Sequence, residues 1–239
     1  MGSDFRQGAR AEESQRVSGG DDVGLRQYVR RIYNYMAGGL ALTGAIAYLG
    51  ASTGFYRSIV GTPLFWVVLL APLALVMLLS LRIEHIGFGA AQIGFWTYAA
   101  LVGLSLSGIF LVYTGESIAR VFFISAATFG ATSLYGYSTR ADLSRFGSFL
   151  FMGLIGIIIA GLVNLFLVSS ALQFVVSVIG VLVFTGLTAY DTQRIKRIYI
   201  AGEAGEIAGK KAIMGALALY LDFLNLFLML MRLFGSRRS

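Results

Sequence analysis

The sequence predicts an all-α integral membrane protein with seven transmembrane helices. Hydrophobic residues make up 57% of the 239 residues, and charged residues only 13%, roughly half the share found in a soluble domain. The apolar residues form seven runs, and a helix of roughly twenty apolar residues crosses the hydrocarbon layer. The 30 glycines are scattered through these runs, which is typical of helices that pack closely in lipid.

The chain divides into a tail, a membrane domain and a short end segment. Residues 1–25 are polar and rich in Gly, Ser and charged side chains, so we expect a disordered tail without a cleavable signal peptide. Residues 26–235 form the predicted transmembrane domain, and residues 236–239 form a short basic C-terminal tail. The apolar chemistry of the protein therefore belongs to the central part.

The first two spans carry local signals. The first follows Arg26, Arg30 and Arg31, as expected of a lead-in anchored among lipid headgroups. Pro72 lies inside the second span, where it should kink the helix or free a backbone carbonyl that neighbouring helices then satisfy. The seven spans are predicted at about residues 36–50, 64–81, 90–113, 121–137, 149–168, 174–190 and 212–233.

The later spans are joined by short connections. A tight turn precedes the fourth span, with Thr114 or Ser117 as the predicted helix cap. The fourth span carries the most Ser and Thr, so we expect it to pack against other helices on several sides. Five residues separate the fifth span from the sixth, and a basic segment leads from the sixth to the seventh.

The basic residues predict the orientation. With seven spans, the side of the N-terminus holds 14 of the 19 Lys and Arg residues, and the remainder lie on the other side. The positive-inside rule then places the N-terminus in the cytoplasm. A re-entrant seventh run, which would return the basic C-terminus to the cytoplasmic side, is the alternative.

Two aspartates lie within the last two apolar runs. Asp191 closes the sixth run, and Asp222 interrupts the seventh. A carboxylate in hydrocarbon costs about 2 kcal/mol or more, so it is rare there unless it faces a protein interior, a water cavity or a partner charge. Both residues are therefore candidate functional residues. The alternative for Asp191 is an ordinary interfacial residue paired with Arg194.

The pair suggests two kinds of chemistry. Two carboxylates in one low-dielectric site cannot readily both ionise, so they would titrate as a coupled unit and could sense protons. When charged, Asp191 and Asp222 would also offer hard oxygen ligands to calcium, helped by carbonyls and water. Their separation is left open. If the seventh helix starts at Ala212, Asp222 lies about 15 Å deep, whereas a start nearer Leu217 brings the two level.

Two further residues are candidates near this pair. Arg82 ends the second span on the side of Asp191 and could latch the cytoplasmic mouth by a salt bridge, although arginines at span ends commonly snorkel to the interface. Asn225 lies three residues after Asp222 and so on the same helical face. It could line the cavity or form an ordinary hydrogen bond between helices.

Other functional classes have no support in the sequence. There is no cysteine and a single histidine, His85, so thiolate sites and histidine clusters are excluded. No nucleotide-binding loop, zinc-protease helix or nucleophile elbow occurs in a credible context. The basic residues are dispersed rather than gathered in a patch, which argues against nucleic acid. We expect no enzymatic activity and no cofactor.

Several motifs together resemble one known family. VRRIYNYMAGGLALTG, LSLSGIFLVYT, YGYSTRADLSRFGSFLFMGLIG, GLTAYDTQRIK and LALYLDFLNLFLMLMRLFG occur in this order over residues 25–235. They resemble the transmembrane Bax inhibitor motif family, also called the Bax inhibitor-1 family, in a bacterial form. The resemblance implies seven helices of which the last is wrapped by the other six.

The resemblance also implies a function. It implies a pH-sensitive calcium leak whose proton sensor is an aspartate pair, carried over to Asp191 in AYDTQ and Asp222 in LYLDFLNLF. An arginine latch on the second helix is carried over by position to Arg82. We therefore expect a multi-pass protein of the bacterial inner membrane that passes calcium and responds to protons. The alternative is a non-conducting stress-response regulator that binds a membrane protease or another membrane protein.

Overall fold

Eight helices follow one another in the computed structural model, which describes residues 2–203 and 205–238, with side chains from residue 23 onward. Within this part of the chain there is no strand, which confirms the all-α prediction. The helices are α1 (Gly2–Ser52), α2 (Phe55–Ile59), α3 (Pro63–Arg82), α4 (Phe88–Val112), α5 (Gly115–Ser138), α6 (Ser144–Leu167), α7 (Ser170–Arg197) and α8 (Gly205–Phe234).

Six of these helices are long and apolar enough to cross a membrane. They are α3 to α8, and they contain the predicted second to seventh spans. The chain is therefore an integral membrane protein. The predicted first span, residues 36–50, lies in α1, which is not among these six helices. The total of seven spans is thus not confirmed and stays a prediction.

The two predicted tails lie at the two ends of the chain. Helix α1 begins at Gly2, inside the segment predicted to be a disordered tail. Side chains are described only from Val23 onward, so the side chains of residues 1–22 in the predicted tail lie outside the described part. At the other end, the Arg238 amide donates to the Val112 carbonyl over 2.9 Å. The predicted C-terminal tail therefore lies against the connection between α4 and α5.

Helix α8 is the most buried of the six. In its most apolar stretch 72% of the residues are buried, against at most 39% in any other. It packs against α1, α4, α5 and α7, whereas α3 packs mainly on α4 and α6 on α7. Wrapping of the last helix by six others is therefore not confirmed, since four helices form its main contacts.

A buried hydrogen-bond chain joins three of these helices. The Thr43 hydroxyl of α1 donates to the Ala99 carbonyl of α4 over 2.8 Å. The Tyr220 hydroxyl of α8 lies 2.6 Å from the same Thr43 oxygen and, as Thr43 uses its proton on Ala99, Tyr220 is the donor. The Thr43 and Tyr220 hydroxyls and the Ala99 carbonyl thus satisfy one another inside the bundle. These hydrogen bonds fix α8 against α1 and α4.

The proline inside α3 is compensated by the neighbouring helix. Pro72 has no amide hydrogen, so the carbonyl of Val68, four residues earlier, lacks its helical donor. The Ser105 hydroxyl of α4 supplies one instead, 2.7 Å from that carbonyl oxygen. The predicted freed carbonyl is thus confirmed, and its new partner joins α3 to α4. Thr114 is likewise confirmed as the cap of α5, since its side chain accepts from the Ser117 amide.

We predict that Ser105→Ala lowers the free energy of unfolding by about 1 kcal/mol, because the Val68 carbonyl then has no donor in an apolar environment. In a Pro72→Ala background the restored amide can bond Val68, so the same serine substitution should cost less. The measurement is a double-mutant cycle from denaturation in detergent micelles. Equal costs in both backgrounds would contradict this account of the α3–α4 contact.

Candidate functional site

The register of α7 and α8 decides where the two aspartates lie. These helices run antiparallel, with Gly215 against Ile195 and Gly180 against Met229. Helix α8 begins at Gly205, earlier than the predicted starts at about 212 or 217, and its first turns extend past the end of α7. This register places Asp222 about one helical turn deeper than Asp191, or roughly 5 Å along the axis.

Side-chain direction closes the remaining gap. In an α-helix each Cα–Cβ bond leans toward the N-terminus of its own helix. Asp191 therefore leans deeper along α7, and Asp222, on the antiparallel α8, leans back toward it. Their carboxyl groups come within hydrogen-bonding reach of each other. The structure thus brings together the two residues whose separation the sequence left open.

The two carboxyl groups differ in burial. The Asp222 side chain is buried, and its Oδ2 atom has no hydrogen-bond partner among the described residues. Asp191 is half-buried. Two ionised carboxylates at this distance would repel each other strongly in a low-dielectric environment. A proton held between the two groups would remove this repulsion, which is the physical basis for the predicted coupled titration.

A cavity of about 510 Å³ gives access to the pair. It lies between α6, α7 and α8, in the gap left because α6 packs on α7 rather than on α8. Much of its wall is apolar. Its polar and charged lining consists of Ser148, Tyr190, Asp191, Arg194, Asp222 and Asn225. The carboxyl pair therefore forms part of the polar wall of this cavity.

The other candidate residues are placed differently. Asn225 lines the cavity, and its amide group donates to the Leu221 carbonyl of its own helix over 2.9 Å. Arg82 is exposed at the end of α3, is not part of the cavity wall and has no ion pair among the described residues. Its latch role stays a prediction.

Arg194 is the arginine that lines the cavity. It lies three residues after Asp191 and so on the same side of α7, yet the described part of the chain contains no ion pair between the two. The sequence offered this residue only as an ordinary surface partner of Asp191. Its three-residue spacing from Asp191 was the sequence feature that could have indicated its position at the site.

A second polar cluster joins α7 to the loop between α5 and α6. Arg197 of α7 pairs with Asp142 of the loop between α5 and α6 at 2.6 Å and also donates to Gln193. Gln193 in turn accepts from the Leu143 amide and donates to the Ala141 carbonyl. These contacts fasten the loop before α6 to α7, and so they help to fix one wall of the cavity.

Asp142 cannot be the source of a pH response near neutrality. Its hydrogen bond to Arg197 lowers the pKa of Asp142 from 3.8 to about 2. A lowered folded-state pKa means that the stabilising, ionised form is fully present above the ordinary pKa and is lost only as the pH falls toward 2. Its contribution is therefore constant between about pH 5 and pH 8.

Comparisons with known proteins agree that this is a membrane protein. The family model described as inhibitor of apoptosis-promoting Bax1 matches residues 25–239. An uncharacterized protein of Rickettsia prowazekii is 51% identical over 219 residues, covering 91% of this chain and 93% of the relative. Inner membrane protein YbhL of Escherichia coli K12 is 48% identical over 220 residues, covering 90% and 94%. An uncharacterized membrane protein of Streptococcus pyogenes is 38% identical over 218 residues, covering 90% and 94%.

We predict that Asp222→Asn melts at a higher temperature than the native chain at about pH 8, because asparagine removes the repulsion that appears when the shared proton leaves. The expected rise is about 2–4 °C for each kcal/mol of repulsion removed. At about pH 5, where the native pair holds its proton, the gain should vanish.

Asp142→Asn is the matched control, since it removes a carboxylate that titrates outside this range. The difference between Asp142→Asn and the native protein should stay constant from about pH 5 to pH 8. The account is wrong if the melting temperatures of the native protein and Asp222→Asn change in parallel with pH.

Proposed function

Because the chain belongs to the Bax inhibitor-1 family, whose model matches residues 25–239, we propose that it is a pH-sensitive calcium leak of the bacterial inner membrane. The observation that carries the proposal is the Asp191–Asp222 carboxyl pair, which faces a cavity of about 510 Å³ inside a bundle of apolar helices. Placing two carboxyl groups inside a membrane protein costs free energy, so such a pair is expected where the protein uses it. In this proposal the pair both senses protons and lines the ion path.

The pair suits calcium as a passing ion. A pair that holds one shared proton still carries a negative charge that attracts a divalent cation, and calcium takes six to eight oxygen ligands at flexible geometry. The Ser148 hydroxyl, the Asn225 side chain and water can add oxygen atoms in the same cavity. No cluster of three or more acidic, His or Cys side chains occurs among the described residues. Two carboxyl groups without a third such side chain would bind calcium weakly. Weak binding lets an ion enter and leave, as conduction requires.

In this proposal the packing of α7 and α8 is the closed state of the path. Beyond the cavity α7 and α8 pack tightly: a Cβ at Gly180 would lie 2.8 Å from the Met229 side chain. An ion can pass only if these helices separate. We propose that a change in the charge of the pair starts this movement. Protonation changes both the repulsion between Asp191 and Asp222 and their attraction for Arg194.

Arg194 supplies a physical basis for gating. When Asp191 is ionised, its charge attracts the Arg194 guanidinium, which lines the cavity three residues further along α7. Protonation of the pair weakens that attraction and lets the exposed Arg194 side chain move away from the cavity. The leak is then larger in acid, and the cation-repelling charge of Arg194 leaves the ion path.

The first test is calcium flux into liposomes that contain the purified protein. We expect the flux to be larger at about pH 6 than at about pH 8, and Asp191→Asn and Asp222→Asn to remove most of this difference, because asparagine cannot titrate. Asp142→Asn removes a carboxylate that titrates outside this range, so it should keep the native ratio of the two fluxes. Absence of flux above that of empty liposomes at both pH values would rule out the channel. It would favour the non-conducting regulator, for which partner capture with and without residues 1–25 is the next experiment.

A second flux experiment separates the two arginines. We expect Arg194→Gln to raise the flux at about pH 8 toward its value at about pH 6, because the charge held over the cavity is gone. Arg82→Gln, which removes the same charge at the exposed end of α3, should leave the ratio of the two fluxes unchanged. The opposite pattern would assign the latch to Arg82, as the family resemblance implies, and would contradict gating by Arg194.

A further inference from the structure

A second polar depression lies on the other side of the bundle, between α1 and α4. It has a volume of about 370 Å³, and we call it the α1–α4 groove. It shares no residue and no helix with the aspartate cavity, which is built from α6, α7 and α8. Its lining consists of Gln27, Arg30, Arg31, Asn34, Tyr35 and Trp96.

The spacing of these residues makes the groove a continuous donor surface. The five residues from α1 recur at three- and four-residue intervals, so they occupy one face of the helix. Arg30 and Arg31 form no ion pair among the described side chains. Gln27 and Asn34 flank them with amide groups that can also donate hydrogen bonds. The face therefore presents two positive charges and further donors to whatever lies in the groove.

Aromatic rings hold part of this surface in place. The Arg31 guanidinium lies 4.8 Å from the centre of the Phe88 ring and 5.9 Å from that of Tyr35, distances typical of cation–π contacts. Trp96 packs on α1 at Gly38, where a Cβ would lie 2.8 Å from its ring. Arg31 and Trp96 are thus held by packing, and the exposed Arg30 side chain stands beside them on the same helix.

The position of the groove identifies its ligand. It lies where the basic first part of α1 gives way to the apolar stretch from Met36 onward, which is the level of lipid headgroups. On α4, one turn from Trp96, Ile93 is 69% exposed and offers an apolar surface for an acyl chain. A free anion would gain nothing from such a surface.

We propose that the α1–α4 groove binds the phosphate headgroup of an anionic phospholipid. Arginine guanidinium groups match phosphate oxygens with paired hydrogen bonds, and basic pockets between transmembrane helices bind anionic headgroups. The two arginines supply the charge, the amide groups of Gln27 and Asn34 add donors, and Trp96 closes the groove on the side of α4. This site is independent of calcium conduction.

Trp96 provides a direct readout, because the chain has only two tryptophans. In the full-length Trp66→Phe protein, Trp96 is the one remaining tryptophan and reports on the groove. The protein is reconstituted into phosphatidylcholine vesicles with a small fraction of lipid that carries bromine on the acyl chain near the headgroup. The brominated lipid is phosphatidylglycerol in one series and phosphatidylcholine in the other, and quenching of Trp96 fluorescence is measured.

We expect phosphatidylglycerol to be enriched at Trp96 by about fivefold for each arginine, or roughly 25-fold in all. Arg30→Gln with Arg31→Gln should abolish this preference, whereas replacement of both arginines by lysine should retain most of it. Arg26→Gln with Arg140→Gln removes the same charge at two residues outside the groove and should leave the preference intact. Excess inorganic phosphate should not compete, because it lacks the acyl chain.

Three results would overturn the proposal. Equal quenching by the two lipids would show that the groove has no preference for an anionic headgroup. A preference that survives Arg30→Gln with Arg31→Gln would place the lipid elsewhere. A preference that appears only after deletion of residues 1–22 would assign the groove to the acidic residues of the protein's own N-terminal segment.

Discussion

The arrangement of this protein depends on two carboxyl groups that repel each other when both are ionised. Asp191 and Asp222 lie within hydrogen-bonding reach, and Asp222 is buried in the most enclosed helix of the bundle. In a low-dielectric interior their repulsion competes directly with helix packing. The charge state of the pair and the contact between α7 and α8 are therefore linked by the same free energy.

Close helix packing makes this distance possible. At Gly136 of α5 a Cβ would collide with the backbone of Ala189 in α7, and at Gly186 it would lie 2.6 Å from the side chain of Leu150 in α6. These glycines hold α5 and α6 close to the turn of α7 that carries Asp191. The chain of hydrogen bonds through Thr43 and Tyr220 holds α8 from the opposite side. The turn of α7 that carries Asp191 and the part of α8 that carries Asp222 are thus each packed against neighbouring helices.

The sequence predicted what each segment is, but not how the segments meet. Apolar runs predicted α3 to α8, and the cost of burying a carboxylate singled out Asp191 and Asp222. The family was also predicted correctly from the order of its motifs. The register of α7 and α8 was not predictable, because it depends on where the connecting turn lets α8 begin. Arg82 was predicted to lie near the pair only because it ends a span on the same side of the membrane. In the structure α3 packs on α4 and not on α7.

The shared proton is the central claim, and infrared spectroscopy of the reconstituted protein tests it most directly. The carbonyl stretch of a protonated carboxylic acid is distinct from that of a carboxylate, so the native protein should show a protonated band at about pH 6 that is lost as the pH rises toward about 9. The band should be absent or shifted in Asp191→Asn and Asp222→Asn and unchanged in Asp142→Asn. A native spectrum with no protonated carboxyl band at any pH in this range would contradict the account.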